Sequence, residues 1–178
     1  MGRRHACGLG WALLWALPIL TADQAIKGLV ARTLSAGGSP VLVPGVLRLT
    51  YTENPAAAFG LFGHLPPALF ISLIFIVLGV FLLLVWPFLG ARAGVASAAL
   101  VLGGAVGNLV DRLTRQYVID YLQFPFRLTL GDRTLMWPVF NLADICVVAG
   151  IGLLVLLIFR VERRPAPVPA EPPGGAPS

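Results

Sequence analysis

Four long apolar runs, separated by stretches of different pattern, organise the chain. The first runs from about Leu9 to Val30 and the second from Pro66 to about Trp86. The third covers about Ala93 to Val110 and is rich in Ala and Gly, and the fourth covers about Pro138 to Phe159. A hydrocarbon core of about 30 Å takes about 20 apolar residues as a helix, so each run predicts a membrane span. Two connections differ. Thr33 to Leu65 holds Val41-Leu42-Val43 and Val46 to Thr52 between Gly-Gly-Ser-Pro and Pro-Gly punctuation, which reads as short strands and turns. Arg115 to Trp137 holds Tyr117 to Phe124, then Arg127 to Thr134 with Gly131-Asp132 as a turn. The pattern predicts an all-α membrane protein of four transmembrane helices, with a small extracytoplasmic β element and mobile outer loops. Residues 1–164 form the membrane domain. Pro165 to Ser178 is a Pro/Ala/Gly tail with too little apolar surface to bury, and is expected to be disordered.

The first run has a second reading. Arg3, Arg4 and His5, then Trp11 to Leu20, then Thr21-Ala22 also resemble a cleavable signal peptide, which would leave three spans.

Composition narrows the class. Of 178 residues, 57% are hydrophobic and 12% charged, about half the charge of a soluble domain. That excludes a disordered chain and leaves no room for a separate soluble catalytic domain. The net charge of +5 comes from scattered basic residues without an aromatic-interleaved patch. Nucleic acid is therefore rejected as a partner, and membrane lipids with anionic head groups are expected instead. Cys7 and Cys146 sit in separate apolar runs, with no CxxC and no His/Cys cluster. Both are expected to be buried inert thiols, and neither a metal nor another cofactor is expected. The chain is expected to act as a monomer.

Orientation rests on where the basic residues fall. If both termini share a side, that side holds Arg3, Arg4, Arg92, Arg160, Arg163 and Arg164. The other holds Lys27, Arg32, Arg48, Arg112, Arg115, Arg127 and Arg133. The first group flanks the spans more tightly, and the positive-inside rule weights such positions, so both termini are expected in the cytoplasm.

Up-down threading then gathers the polar residues at the outer ends of the helices. Asp23 and Lys27, four apart, share one face of helix 1. Asn54 lies in the first outer loop. Asn108, Asp111 and Arg112 lie at the outer end of helix 3, Asp120 follows in the second loop, and Asn141 and Asp144 lie near the outer start of helix 4. A carboxylate inside the bilayer costs about 2.5–3.5 kcal/mol on insertion scales, so Asp144 points to use. Six residues beyond Pro138, it is expected about 9 Å into the helix. Two carboxylates brought together in a desolvated site share a proton, so one can act as base and the other as acid. Asp120 and Asp144 are the best such pair. Plainer readings stand beside these. Asp23 with Lys27, and Asp111 with Arg112 or Arg115, also read as interfacial ion pairs. Gly103-Gly104 and Gly107 read as helix packing, and Asn54 reads as turn chemistry before Pro55.

These residues, in order, resemble lipoprotein signal peptidase, the bacterial signal peptidase II family. Asp23-Gln24-Ala25-Ile26-Lys27 is similar to its first motif and Asn54 to Gly60 to its second. Gly103 to Arg112, with Gly104, Asn108 and Asp111, is similar to the third. Val118-Ile119-Asp120 and Phe140-Asn141-Leu142-Ala143-Asp144 resemble the two that carry the family's catalytic aspartates. Ile26 stands where Thr or Ser is common, and Ala56 where Gly is usual, which puts the shape of the first outer loop in doubt. The resemblance implies a membrane aspartic endopeptidase of the bacterial cytoplasmic (inner) membrane. It implies that the first helix is retained, and that the substrate is a diacylglyceryl-modified prolipoprotein cut immediately before the lipid-modified cysteine. Asp120 and Asp144 would be catalytic. Asn54, Asn108, Arg112, Asn141, Asp23, Lys27, Asp111 and Gly104 would bind substrate or support the site. An apolar outer loop, through Leu61, Phe62, Phe124 or Phe126, is expected to act as a lid. The rival is an ion-coupled transporter with intramembrane Asp residues. It would need polar residues along a path across the bilayer, and the second run and the cytoplasmic halves of the third and fourth have almost none.

Overall fold

The protein is described from a computed structural model, over residues 2–55, 67–130 and 133–162. Ala56, Leu61, Phe62, the Gly131-Asp132 turn and the 165–178 tail lie outside the described residues. Helices α1 (Gly2–Leu34), α2 (Pro67–Val85), α3 (Arg92–Arg115) and α4 (Leu142–Glu162) are each long and apolar enough to cross a membrane. A short 3₁₀ turn, Trp86–Phe88, joins α2 to α3.

Three ends differ from expectation. Helix α1 is 33 residues, about 50 Å at 1.5 Å per residue, and overruns the hydrocarbon thickness. Helix α3 runs on through Asn108, Asp111 and Arg112 to Arg115, and stops where Gln116 adopts a left-handed conformation at φ 69°. Helix α4 begins at Leu142, not near Pro138. Asp144 is therefore in the first turn of α4 and not 9 Å along it. The residues before it pair with a strand instead of entering the helix.

The interior mixes small and large residues, with Ala12 and Ala16 of α1 and Ala98 and Ala99 of α3 beside Phe81, Val85, Leu89 and Leu154. Large side chains such as Leu83 and Val148 point outward. Lipid tails are as apolar as Leu, so helices associate through close packing rather than by burying bulk. Trp11, Trp15, Trp86 and Trp137 are all exposed, consistent with contact to lipid or its interface. Central α3 meets α1 on one side and α4 on the other. A Cβ on Gly104 would lie 2.4 Å from the Ala143 carbonyl oxygen, and one on Gly107 would lie 2.6 Å from Asp23 Oδ2. Glycine at these positions sets how closely α4 and α1 approach α3. The packing reading of Gly104 is the one the geometry supports, since what faces it is α4 backbone and Val147.

Strands β1 (Val41–Val43), β2 (Leu47–Asn54) and β3 (Val118–Gln123) form one antiparallel sheet in that order. Strands β4 (Arg127–Leu130) and β5 (Arg133–Met136) form a separate hairpin. The sheet rests on the end of α1 through Val30, Ile119 and Tyr121. The β2–β3 register sets Thr52 opposite Asp120 and Asn54 opposite Val118. The two outer connections are thus stitched into one sheet. Phe140 extends the pairing, exchanging backbone bonds with Leu122 at 2.8 and 2.9 Å, which delivers Asn141 beside Asp120.

Cys146 is buried and Cys7 is exposed, both free. The expectation of a buried Cys7 is corrected. It lies on an exposed face near the start of α1.

Candidate active site

The start of α4 accounts for all of its first amide groups. Leu142 N–H donates to Tyr121 Oη at 3.1 Å, Ala143 N–H to Asp23 Oδ1 at 3.1 Å, and Asp144 N–H to Asn141 Oδ1 at 3.0 Å. Asp144 Oδ2 in turn accepts from Asn141 N–H at 3.1 Å. Asn141 and Asp144 form a reciprocal capping box, with the carboxylate at the positive end of the helix. The three-residue spacing of Asn141 and Asp144 in the last motif is the spacing that a helix cap requires.

Asp120 approaches from β3. Its Oδ1 accepts from Asn141 Nδ2 at 2.7 Å and its Oδ2 from Asn54 Nδ2 at 2.8 Å. Asn108 of α3 donates Nδ2 to Asp144 Oδ1 at 2.8 Å and accepts from Asn141 Nδ2 at 3.1 Å. Three neutral amides therefore hold two carboxyl groups. Asp120 is almost fully buried. Its carboxyl is pushed up to about 6, chiefly by desolvation and further by the charge of Asp144, with the Asn54 and Asn141 hydrogen bonds and Lys27 pulling the other way. Both aspartates, Asn54, Asn108 and Arg112 line a groove of about 720 Å³. The rest of its wall is apolar and includes Phe124, Trp137 and Val148. Phe124 stacks with Phe126 at 5.3 Å and meets Phe140 at 5.1 Å, forming an aromatic rim. Arg112 donates to the Asn108 carbonyl of its own helix at 3.1 Å. Among the described residues no cluster of His, Cys, Asp and Glu is arranged to hold a metal ion.

A second cluster lies deeper. Lys27 Nζ, fully buried, reaches Asp23 Oδ2 at 2.8 Å, Asp111 Oδ2 at 2.9 Å and Asn108 Oδ1 at 2.8 Å. These satisfy all three ammonium donors. Asp111 Oδ1 is also bridged by Arg115 and accepts from Gln24 Nε2 at 3.2 Å. Asp111 thus pairs with Lys27 and Arg115. Asp23 accepts the N–H of Ala143, the residue before Asp144, while Asp111 Oδ2 accepts that of Ile119, the residue before Asp120, at 3.3 Å. Each buried carboxylate anchors one strand or helix end that carries an aspartate of the groove. Gln24 and Tyr121 were missed as site support. Gln24 stood out as a polar residue in an apolar helix beside Asp23. Tyr121 gave no sequence signal, because its role depends on how α4 meets β3.

The structure brings together every sequence-predicted site residue except Gly104, which acts at the α3–α4 contact. A lipoprotein signal peptidase from Halothermothrix orenii is 36% identical over 149 residues, covering 83% of this chain and 94% of that protein. One from Geobacter metallireducens is 36% identical over 149 residues, covering 82% of this chain and 88% of that protein. The fold is similar to a bacterial membrane enzyme solved in meso at 2.3 Å resolution, with TM-score 0.67 at 24% identity over 91% of this chain and 95% of the other. Residues 15–160 match the model of the Peptidase_A8 family, signal peptidase (SPase) II. The chain is a multi-pass membrane protein and belongs to the signal peptidase II family of proteases.

Proposed function

We propose that this chain removes the signal peptide from diacylglyceryl-modified prolipoproteins, cutting immediately before the lipid-modified cysteine with Asp120 and Asp144 as an aspartic pair. The observation that carries the reading is one groove with two carboxyl groups on its wall, held by neutral amides, with Arg112 beside them and the rest of the lining apolar. An extended peptide at a lipid interface needs such a surface: apolar for acyl chains and the signal helix, polar only at the scissile bond.

The pair shares one proton and titrates as a unit. The ionised member takes a proton from water, whose oxygen attacks the scissile carbonyl carbon. The protonated member gives its proton to the carbonyl oxygen. When the C–N bond breaks, the nitrogen collects a proton from one carboxyl and a hydroxyl of the intermediate returns one to the other. Asn54 and Asn141 orient Asp120, and Asn108 and the cap of α4 orient Asp144. Asp23, Lys27 and Asp111 hold the segments in place, and residues 1–164 make up the peptidase.

Both termini are cytoplasmic in this reading, with the groove facing the outer leaflet of the cytoplasmic membrane. Arg4, Arg92 and Arg160 fall at the helix ends remote from the groove, as the positive-inside rule asks. The test is incubation of the purified full chain with a diacylated prolipoprotein. Expected are a free signal peptide and a product whose first residue is the modified cysteine, by mass spectrometry. An uncut substrate, or equal cleavage of the unmodified precursor, would sink the proposal.

A further inference from the structure

A second groove, of about 960 Å³, runs between α1 and α3 at the other end of the bundle. Gly8 packs on Leu89, Gly103 on Ile19 and Gly107 on Asp23, so α1 and α3 run parallel and their N-termini share an end. From Arg92 to Asp111 is about 28 Å along α3, close to the full hydrocarbon thickness. The groove therefore opens at the opposite interface from the aspartates.

We propose that this groove binds an anionic phospholipid, with an acyl chain along α1 and α3 and its phosphate against Arg4 and Arg92. Four observations converge. The wall is apolar, including Trp11, Trp15, Ile19 and Val95, and among the described residues the charged ones on it are Arg4 and Arg92. From Arg4 to Ile19 is about 22 Å along the helix, more than the ~15 Å that one leaflet contributes, so a chain fits lengthwise. The carboxylates with described side chains (Asp23, Glu53, Asp111, Asp120 and Asp144) all belong to the other end of the fold, and no salt bridge among the described residues involves Arg4 or Arg92. No side chain caps α3 at Ala91, and Ala91 lines the groove, so the positive helix end adds to the two guanidiniums. A zwitterionic lipid would satisfy the apolar wall. A net negative head group satisfies the charge as well.

The test uses the full chain, delipidated in a neutral detergent, with lipid adducts counted by native mass spectrometry. Phosphatidylglycerol is compared with phosphatidylcholine of the same acyl chains, and with inorganic phosphate. Two guanidiniums near a membrane surface correspond to a preference on the order of thirtyfold for the anionic lipid. The Arg4→Gln/Arg92→Gln double variant should lose that preference, while Arg160→Gln keeps it. Ala96→Trp, which narrows the groove with both guanidiniums intact, should weaken binding of both lipids and guards against misfolding of the double variant. Equal binding of the two lipids by the wild type overturns the proposal. So does a preference that survives the double substitution, binding unaffected by Ala96→Trp, or full competition by millimolar phosphate, which would mark a phosphate site and not a lipid site.

Discussion

Two polar clusters share Asn108 and sit within one helical turn of each other, yet they are built on opposite principles. In the deeper one, Asp23 and Asp111 meet Lys27 and Arg115, two carboxylates against two cations, of which only Arg115 is partly exposed. In the other, Asp120 and Asp144 meet three neutral amides and line a groove. The first cluster balances its charges and ties together the segments around it, while in the proposed mechanism the second shares a proton between its two carboxyls. The difference separates the residues that hold the site from those proposed to do chemistry.

The sharpest way to break this division is at the carboxyls of the groove. Asp120→Asn and Asp144→Asn each keep the side-chain volume and cannot exchange a proton. Each should lower cleavage of a diacylated prolipoprotein by ~10³ or more, at the upper part of the range for general acid–base groups. Circular dichroism and gel filtration should show unchanged fold. Near-normal turnover by either purified variant would remove the aspartic assignment and leave the two clusters functionally alike.

The spans were legible because bilayer thickness fixes helix length, and the motif residues because polar side chains are costly in that setting. What the sequence did not disclose was the partner of each. Asp23 with Lys27 read as an interfacial ion pair, but both are fully buried, because Gly107 lets Asp23 press against α3. The start of α4 was misplaced by four residues because Pro138, Val139 and Phe140 are as apolar as a helix. They are held in extended backbone by the Phe140–Leu122 pairing, a contact between distant segments. The outward Cys7 was obscured for a related reason. In a membrane protein apolar character does not separate inside from outside.

The next effect in size falls on stability and on the other cluster. Lys27→Met leaves Asp23 and Asp111 buried without the cation between them. Breaking a buried pair on one side costs about 3–5 kcal/mol, so the thermal midpoint in detergent should fall sharply. Arg115→Gln removes a partly exposed partner of Asp111 and should cost about 1 kcal/mol or less. If Lys27→Met unfolds no earlier than wild type, the deep cluster is not an anchor. Loss of activity in that variant would then need another cause.

pH acts on the groove through Asp120. Burial raises the Asp120 carboxyl from 3.8 to about 6. The folded protein therefore holds this proton to a higher pH than the unfolded chain does. Between these two values the folded state binds more protons, so stability contributed by Asp120 is present below about pH 4, declines as pH rises through about 6, and then levels off. At about 1.4 kcal/mol per unit the decline is on the order of 3 kcal/mol. Asp120→Asn removes it, at the cost of about 1 kcal/mol for one acceptor turned into a donor beside Asn54 or Asn141. The difference in thermal midpoint between variant and wild type should therefore grow in favour of the variant from pH 4 to pH 7. A constant difference across that range would mean that Asp120 carries its charge without penalty.

The smallest effect concerns the tuning of that carboxyl by a single amide. Asn54 reaches Asp120 from the end of β2, where its own backbone is fixed by pairing with Val118. Its hydrogen bond favours the ionised form and so pulls the Asp120 titration down against burial. Asn54→Ala removes the donor without removing a charge or a core contact, since Asn54 is only half-buried. One hydrogen bond to a charged group is worth about 1.5–3 kcal/mol. Water entering from the groove replaces part of it, so an upward shift of roughly one pH unit remains. The global thermal midpoint should change little near pH 4, where Asp120 is protonated in either protein. Carbon-detected NMR of the labelled Asp120 carboxyl reads the shift directly. A midpoint that moves down on substitution, or does not move, would mean that Asn54 positions the carboxyl without favouring its charge.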